Sequence, residues 1–202
     1  MLIVDTHCHV STAWYEPVES LIQQMDRNGV EKAVLVQMGG QYDNSYQDEC
    51  VASYPDRLVS VVLVDVGADD APDKLTSLVE RGARGVRLPA GTPAREVWRR
   101  ASELRLPVTS LGGPAAFAAP EFAENLDIMG DTPVVIEHLG GLKASSDAKS
   151  RDAVFALGAH ANAHMKIHGL GEFCRRAMPV TSPFPSERED VGLLHEAYDA
   201  FG

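Results

Sequence analysis

The stretch Leu2-Ile3-Val4-Asp5-Thr6-His7-Cys8-His9 decides how the rest of the chain is read. It is an apolar run that ends in two histidines two residues apart, with an aspartate two residues before the first. On a strand successive side chains alternate faces, so Asp5, His7 and His9 are expected to point one way and Cys8 the other, into the packing. Two imidazoles on one face at a strand end can share a divalent cation, which takes neutral nitrogen donors at about 2.0–2.2 Å. A bare His-x-His also occurs in turns that bind nothing, so its weight depends on the remainder of the chain.

Beyond His9 the chain alternates strand and helix. Strands are expected at about 2–9, 32–38, 58–66, 85–88, 106–111, 133–139 and 163–170. Helices are expected between them at about 16–28, 70–82, 94–104, 114–129, 147–160 and 186–201, with a short one ending near Tyr54-Pro55. The first helix shows the pattern well, with Val18, Leu21, Ile22 and Met25 at helical spacing and Gly29 as its stop. Strands that read as continuous apolar runs, each followed by a helix, indicate a parallel sheet covered by helices or closed on itself. A dinucleotide-binding sheet would carry a Gly-rich turn after its first strand, and here that turn is His9-Val10-Ser11-Thr12-Ala13. The pattern fits an α/β, (β/α)8 TIM-barrel type of fold, as one domain over residues 1–202, with seven strand–helix units. The eighth strand and helix are missing from that count, so a C-terminally incomplete barrel is the expectation.

Composition narrows the function. With 202 residues, 45% hydrophobic and 23% charged, the chain has the make-up of an ordinary globular protein. A net charge of −11 argues against a nucleic-acid partner, because phosphate binding wants a basic face. No apolar run reaches the roughly 20 residues a membrane span needs, and no secretory leader is evident. Cys8, Cys50 and Cys174 are odd in number and widely spaced, which suits a reducing, cytoplasmic setting.

In a barrel of this type the working residues sit at the C-terminal ends of the strands. Those ends carry His7 and His9, Gln37, Arg87, Glu137-His138, and the set His164, Lys166 and His168. His138 follows the apolar Val134-Val135-Ile136 and precedes Leu139-Gly140-Gly141, a turn. With His7 and His9 it makes a three-nitrogen set with room for an open coordination position. Glu137, by alternation, is expected to face away from His138 toward the helix layer. Arg87 is a candidate clamp for a substrate carboxylate, which guanidinium binds bidentately, with a structural ion pair as the alternative. His168 is the strand-7 residue best placed to touch substrate, and Gln37 and the loop residue Tyr42 are further candidates, beside Trp14, Asn44 and Tyr46.

These motifs resemble the amidohydrolase-related family, the metal-dependent TIM-barrel hydrolases that include lactonases and the carboxymuconate-semialdehyde decarboxylase type. The resemblance rests on Val4-Asp5-Thr6-His7-Cys8-His9, Gly85-Val86-Arg87-Leu88, Ile136-Glu137-His138-Leu139-Gly140-Gly141 and Lys166-Ile167-His168-Gly169-Leu170-Gly171-Glu172-Phe173. It implies one divalent cation, usually zinc with manganese as the alternative, held by His7, His9 and a strand-6 histidine, here His138. It also implies a strand-5 histidine and a strand-8 aspartate that activates water. The strand-5 position reads Val108-Thr109-Ser110-Leu111-Gly112, without a histidine, and no strand-8 aspartate follows. The catalytic base is therefore unassigned. The expected activity is metal-dependent hydrolysis of a small carbonyl compound such as a lactone or amide, impaired by the missing strand. A non-oxidative decarboxylase and a non-catalytic barrel fragment are the alternatives. A homo-oligomer built on the open sheet edge is a further expectation.

Overall fold

A computed structural model describes residues 1–91, 94–167 and 192–202. His168, Cys174, the proline-rich stretch 179–185 and the first residues of the last expected helix lie outside these. The chain divides into two compact units, one formed by Met1–Leu88 and Glu96–Val108, the other by Pro89–Arg95 and Thr109–Gly202. Seven strands occur among the described residues, and their order in the sheet is chain order, β1 to β7.

In the first unit β1 (Val4–Cys8), β2 (Lys32–Val36), β3 (Leu58–Leu63) and β4 (Gly85–Pro89) pair in parallel, each with the next. Parallel neighbours need a crossover, and α1 (Val18–Asn28), α2 (Ser45–Ser53) and α3 (Ala71–Glu80) supply it. Helix α1 forms where its apolar stripe predicts. It buries Val18 and Met25 against Cys8, Val10, Ala33, Leu35, Cys50 and Leu58, with Leu21 and Ile22 half-buried alongside. Gly29 ends it in the left-handed region, at φ 67° and ψ 24°, which an L side chain adopts only at a cost. Arg57 ties the ends of α1 and α2 together in the turn before β3. Its Nε donates to the Glu31 carbonyl (2.7 Å), and its Nη2 donates to the Val30 carbonyl (3.1 Å) and to Asp26 Oδ1 (3.0 Å).

Two buried amides hold the other end of these strands. Asn44, just before α2, accepts the Leu63 N–H at 3.0 Å and donates back to the Leu63 carbonyl at 2.9 Å, standing in for a neighbouring strand. From α2, Gln47 Nε2 reaches the carbonyls of Leu35 (2.9 Å) and Val61 (3.2 Å) and the Ser60 hydroxyl (2.9 Å). Both meet the rule that a buried polar group must be hydrogen-bonded.

The second unit carries most of β5 (Val108–Leu111), β6 (Val134–Ile136) and β7 (Ala163–Met165), the last two parallel. After α4 (Arg95–Glu103), residues 114–129 are two helices, α5 (Pro114–Phe117) and α6 (Pro120–Met129), where one was expected. The break has a plain cause. Proline disfavours the helical region for the residue before it, and Ala119 is extended at φ −72° and ψ 140°. Phe117 and Phe122, from either side of the break, pack edge-to-face with centroids 4.9 Å apart. Helix α7 (Ala148–Phe155) starts on Asp147, whose Oδ1 accepts the Ser150 N–H at 2.8 Å. The last described helix, α8, spans Gly192–Phe201.

Candidate active site

His7 and His9 do share a face, but strict alternation is not the reason. The register runs Asp5↔Ala33 and then Cys8↔Leu35, so β1 carries one extra residue between these pairs. Such a bulge re-aims the side chains beside it and recurs next to active sites. Asp5 Oδ1 accepts the backbone N–H of His7 at 3.0 Å. Cys8 points into the core, as expected.

The two imidazoles meet Nε2 to Nε2 at 3.2 Å, their rings nearly perpendicular at 83°. His9 Nδ1 lies 2.7 Å from the Val36 carbonyl oxygen. A carbonyl only accepts, so Nδ1 of His9 carries the proton and its Nε2 presents a lone pair toward His7. This is the arrangement by which a metal-ligating histidine is usually oriented through its other nitrogen. The pair also passes a distance test. Two nitrogens on a tetrahedral ion at zinc–nitrogen bond lengths lie about 3.3–3.4 Å apart. The ring of Tyr15 packs on His9 with centroids 5.0 Å apart. Sequence reasoning passed over Tyr15 for its neighbour Trp14, which is 78% exposed; an aromatic six residues beyond a histidine carries no pattern of its own.

The loops after β1 and β2 enclose a polar cavity of about 170 Å³, lined by Val10, Ser11, Gln37, Met38, Asp43 and Tyr46 among others. Gln37 is buried and braces its own loop, its Nε2 donating to the Asp43 carbonyl (2.8 Å) and its Oε1 accepting the Met38 N–H (2.9 Å). Tyr42 is half exposed at the surface of the same loop. Arg87 lies buried in the middle of β4, not at its end as expected, and donates Nη1 to the Gln37 carbonyl at 2.9 Å.

In the second unit the expected strand 133–139 ends early, at Ile136, because four residues in succession turn left-handed. His138 has φ 53°, Leu139 φ 52°, Gly140 φ 63° and Gly141 φ 74°. For the two that are not glycine this costs on the order of 1–2 kcal/mol each. Three contacts hold the turn: Gly140 N–H donates to the Glu137 carbonyl (2.9 Å), Leu139 N–H to the Lys166 carbonyl (2.8 Å), and the Leu139 side chain is fully buried. The inversion at His138 corrects the expectation that Glu137 and His138 face opposite ways. Ligand atoms of these two neighbours lie within 4.8 Å of each other. Glu137 is completely buried; its N–H donates to the Ser110 carbonyl (2.9 Å), and its Oε1 accepts the Thr109 hydroxyl (3.1 Å). His164 on β7 and His195 on α8 are both exposed.

Seven strands in chain order with helical crossovers, and histidines at the C-terminal ends of β1 and β6, define an α/β fold of the TIM-barrel type in incomplete form. The chain belongs to the amidohydrolase family, whose pattern matches residues 4–202. Among solved structures, a probable 2-pyrone-4,6-dicarboxylic acid hydrolase from Acinetobacter baumannii, with citric acid bound, is similar at TM-score 0.75 and 23% identity, over 100% of this chain and 79% of that one. An amidohydrolase from Burkholderia multivorans with bound zinc is similar at TM-score 0.74 and 18% identity, over 100% and 81%. A TatD homologue from Escherichia coli follows at TM-score 0.53 and 16% identity, over 98% and 95%. Comparison with functionally curated proteins found no match. Among the described residues no helix is long and apolar enough to cross a membrane.

Proposed function

We propose that the chain is a metal-dependent hydrolase of a small carboxylated carbonyl compound, a lactone or amide, with His7, His9 and His138 holding the cation. The observation that carries this reading is the His7–His9 pair, 3.2 Å between Nε2 atoms with His9 fixed by the Val36 carbonyl. His138, just past the C-terminal end of β6, is included because the family resemblance implies a metal-binding histidine on this strand. When bound, a divalent cation supplies Lewis acidity toward a carbonyl oxygen. The chain's own residues do the rest. Val36 fixes the tautomer of His9, so that nitrogen is ready as a donor without a proton shift. Arg87, held by Gln37, is assigned to the substrate carboxylate, and Gln37, Tyr42 and His168 to the substrate side of the site. The carboxylated lactone class agrees with the names of the similar structures, one a pyrone dicarboxylic acid hydrolase and one binding zinc.

The test is the metal content of chelator-treated protein after reloading with zinc or manganese, beside a His7→Ala variant. About one equivalent, lost in the variant, is expected, followed by acid release from a panel of carboxylated lactones. Failure of the unaltered protein to take up either metal overturns the reading. Release of carbon dioxide instead of a new carboxylate moves the chain to the decarboxylase class.

A further inference from the structure

We propose that the polar cavity enclosed by the loops after β1 and β2 binds the primary ammonium group of a small molecule, held by Asp43 at the rim and the amide oxygen of Gln47 within. The inference stands apart from the metal reading: every residue in it belongs to the first unit, and none is a proposed ligand of the cation. Asp43 is the one charged residue on the lining, and no lysine, arginine or histidine joins it there. Its Oδ1 accepts the Ser45 N–H at 2.9 Å, and a carboxylate has further lone pairs to accept with. The backbone N–H and the hydroxyl of Ser45 hold the Asp43 carboxyl below its usual range, so it is ionised at neutral pH. The amino end of α2 does not reverse the preference for a cation, because Asp43 itself occupies the N–H of its first residue.

Gln47 is the second acceptor, and it is only 4% exposed. Its Nε2 donates to the Leu35 and Val61 carbonyls and to the Ser60 hydroxyl, and carbonyls only accept, so the nitrogen and oxygen of this amide are told apart. With the nitrogen committed to β2 and β3, Oε1 has no hydrogen-bond partner among the described residues and is not sealed from solvent. The residue lines the cavity. A largely buried amide with its oxygen unanswered calls for a donor, and a primary ammonium brings three. Tyr46 lines the same cavity, its hydroxyl fixed by the Val18 N–H at 3.0 Å, and an aromatic ring favours a cation over an anion. Val10 and Met38 supply apolar wall for methylene groups. The volume of about 170 Å³ equals the liquid share of roughly five or six waters, enough for an ammonium on about three carbons. Gln37 Nε2 holds the Asp43 carbonyl at 2.8 Å, so the loop that carries the carboxylate is braced before a ligand arrives. A carboxylate entering the same space would meet the charge of Asp43 with no cation on the lining to offset it.

The test titrates n-propylammonium chloride into the full chain at neutral pH, with propionate and propanol as comparisons of the same length, and follows backbone amide NMR shifts. A ligand of four non-hydrogen atoms binds at best at about 40 µM, so a Kd of about a millimolar is expected, with shifts at Val10, Met38 and Gln47. Propionate is expected to leave these amides unmoved, and propanol to bind about tenfold more weakly than propylammonium. Asp43→Asn keeps an oxygen for the Ser45 N–H while removing the charge, and is expected to weaken binding about three- to fivefold. Circular dichroism checks that this variant is folded. If it is not, added salt reads the same charge in the unaltered protein, where it is expected to weaken binding. Propionate binding as tightly as propylammonium, an unchanged affinity in folded Asp43→Asn, or no saturable shift at these amides overturns the proposal. Each of those results leaves the metal reading standing, since that is judged by metal uptake alone.

Discussion

Gly140→Ala is the substitution that weighs the left-handed turn after β6, and Gly29→Ala is its natural control. The two glycines have nearly the same backbone, φ 63° and ψ 24° at Gly140 against φ 67° and ψ 24° at Gly29. They differ in their surroundings. A Cβ at Gly29 meets nothing within 4 Å, whereas at Gly140 it would sit 2.7 Å from Val154 Cγ1 and 3.4 Å from Phe117 Cδ2, both in fully buried side chains. Gly29→Ala therefore carries only the backbone cost, about 1.5 kcal/mol. Gly140→Ala carries that and an overpacking cost of about 2 kcal/mol, because neither Val154 nor Phe117 has room to retreat. For a chain of this size a kcal/mol moves Tm by about 2–4 °C, so the drops are about 3–6 °C and about 7–14 °C respectively. Thermal melts followed by circular dichroism, with urea denaturation as a second measure, read the difference. Equal drops would refute the argument, since they would mean that the turn yields at Gly140 without disturbing its neighbours. On the proposed metal site a second reading is expected: affinity for the cation falls in Gly140→Ala, through the turn that carries His138, and stays level in Gly29→Ala.

Three further outcomes are expected. Asn44→Ala leaves both backbone groups of buried Leu63 without the partners at 3.0 and 2.9 Å and costs about 2–4 kcal/mol, read as a lower urea midpoint. Asp147 accepts hydrogen bonds from the backbone and hydroxyl of Ser150, which hold its carboxyl below the usual range. A lowered folded pKa means its contribution is complete above about pH 4, the unfolded range, and is lost as pH falls through the folded value. Asp147→Asn should thus flatten the acid limb of the Tm profile while Asp147→Ala lowers Tm at neutral pH; parallel profiles for Asp147→Asn and the unaltered protein would contradict this. Burial pushes the Cys50 thiol up, so it should resist a thiol reagent at neutral pH until urea unfolds the chain; rapid labelling of Cys50 in the native protein, located by mass spectrometry, would contradict that.

Much of the fold was legible in the residues alone, for reasons that differ from place to place. The seven strands announce themselves because parallel strands are apolar on both faces, and α1 because its stripe recurs at helical spacing. The break at Pro120 was hidden by the continuous apolar spacing of 114–129, although proline has no N–H to give and restricts the residue before it. His7 and His9 were expected on one face, and what brings their rings together, a bulge and the Val36 carbonyl, is tertiary. The relation of Glu137 to His138 could not be read. Alternation is a rule for strands, and whether a strand has ended before a given residue depends on packing by Val154 and Phe117, far along the chain. Asn44 and Gln47 look like ordinary loop and helix polars; only burial beside β3 makes them structural.

The bonds of Arg57 have a consequence for how the molecule can change over time. They lie at the N-terminal ends of β2 and β3, where that one side chain reaches Glu31, Val30 and Asp26. His9 and Gln37 lie at the opposite end, directly past the C-termini of β1 and β2. Persistence and novelty are thus assigned to different ends of the first unit. A lineage can rewrite the loops after β1 and β2, and with them what is recognised, while the fastening beneath is inherited untouched.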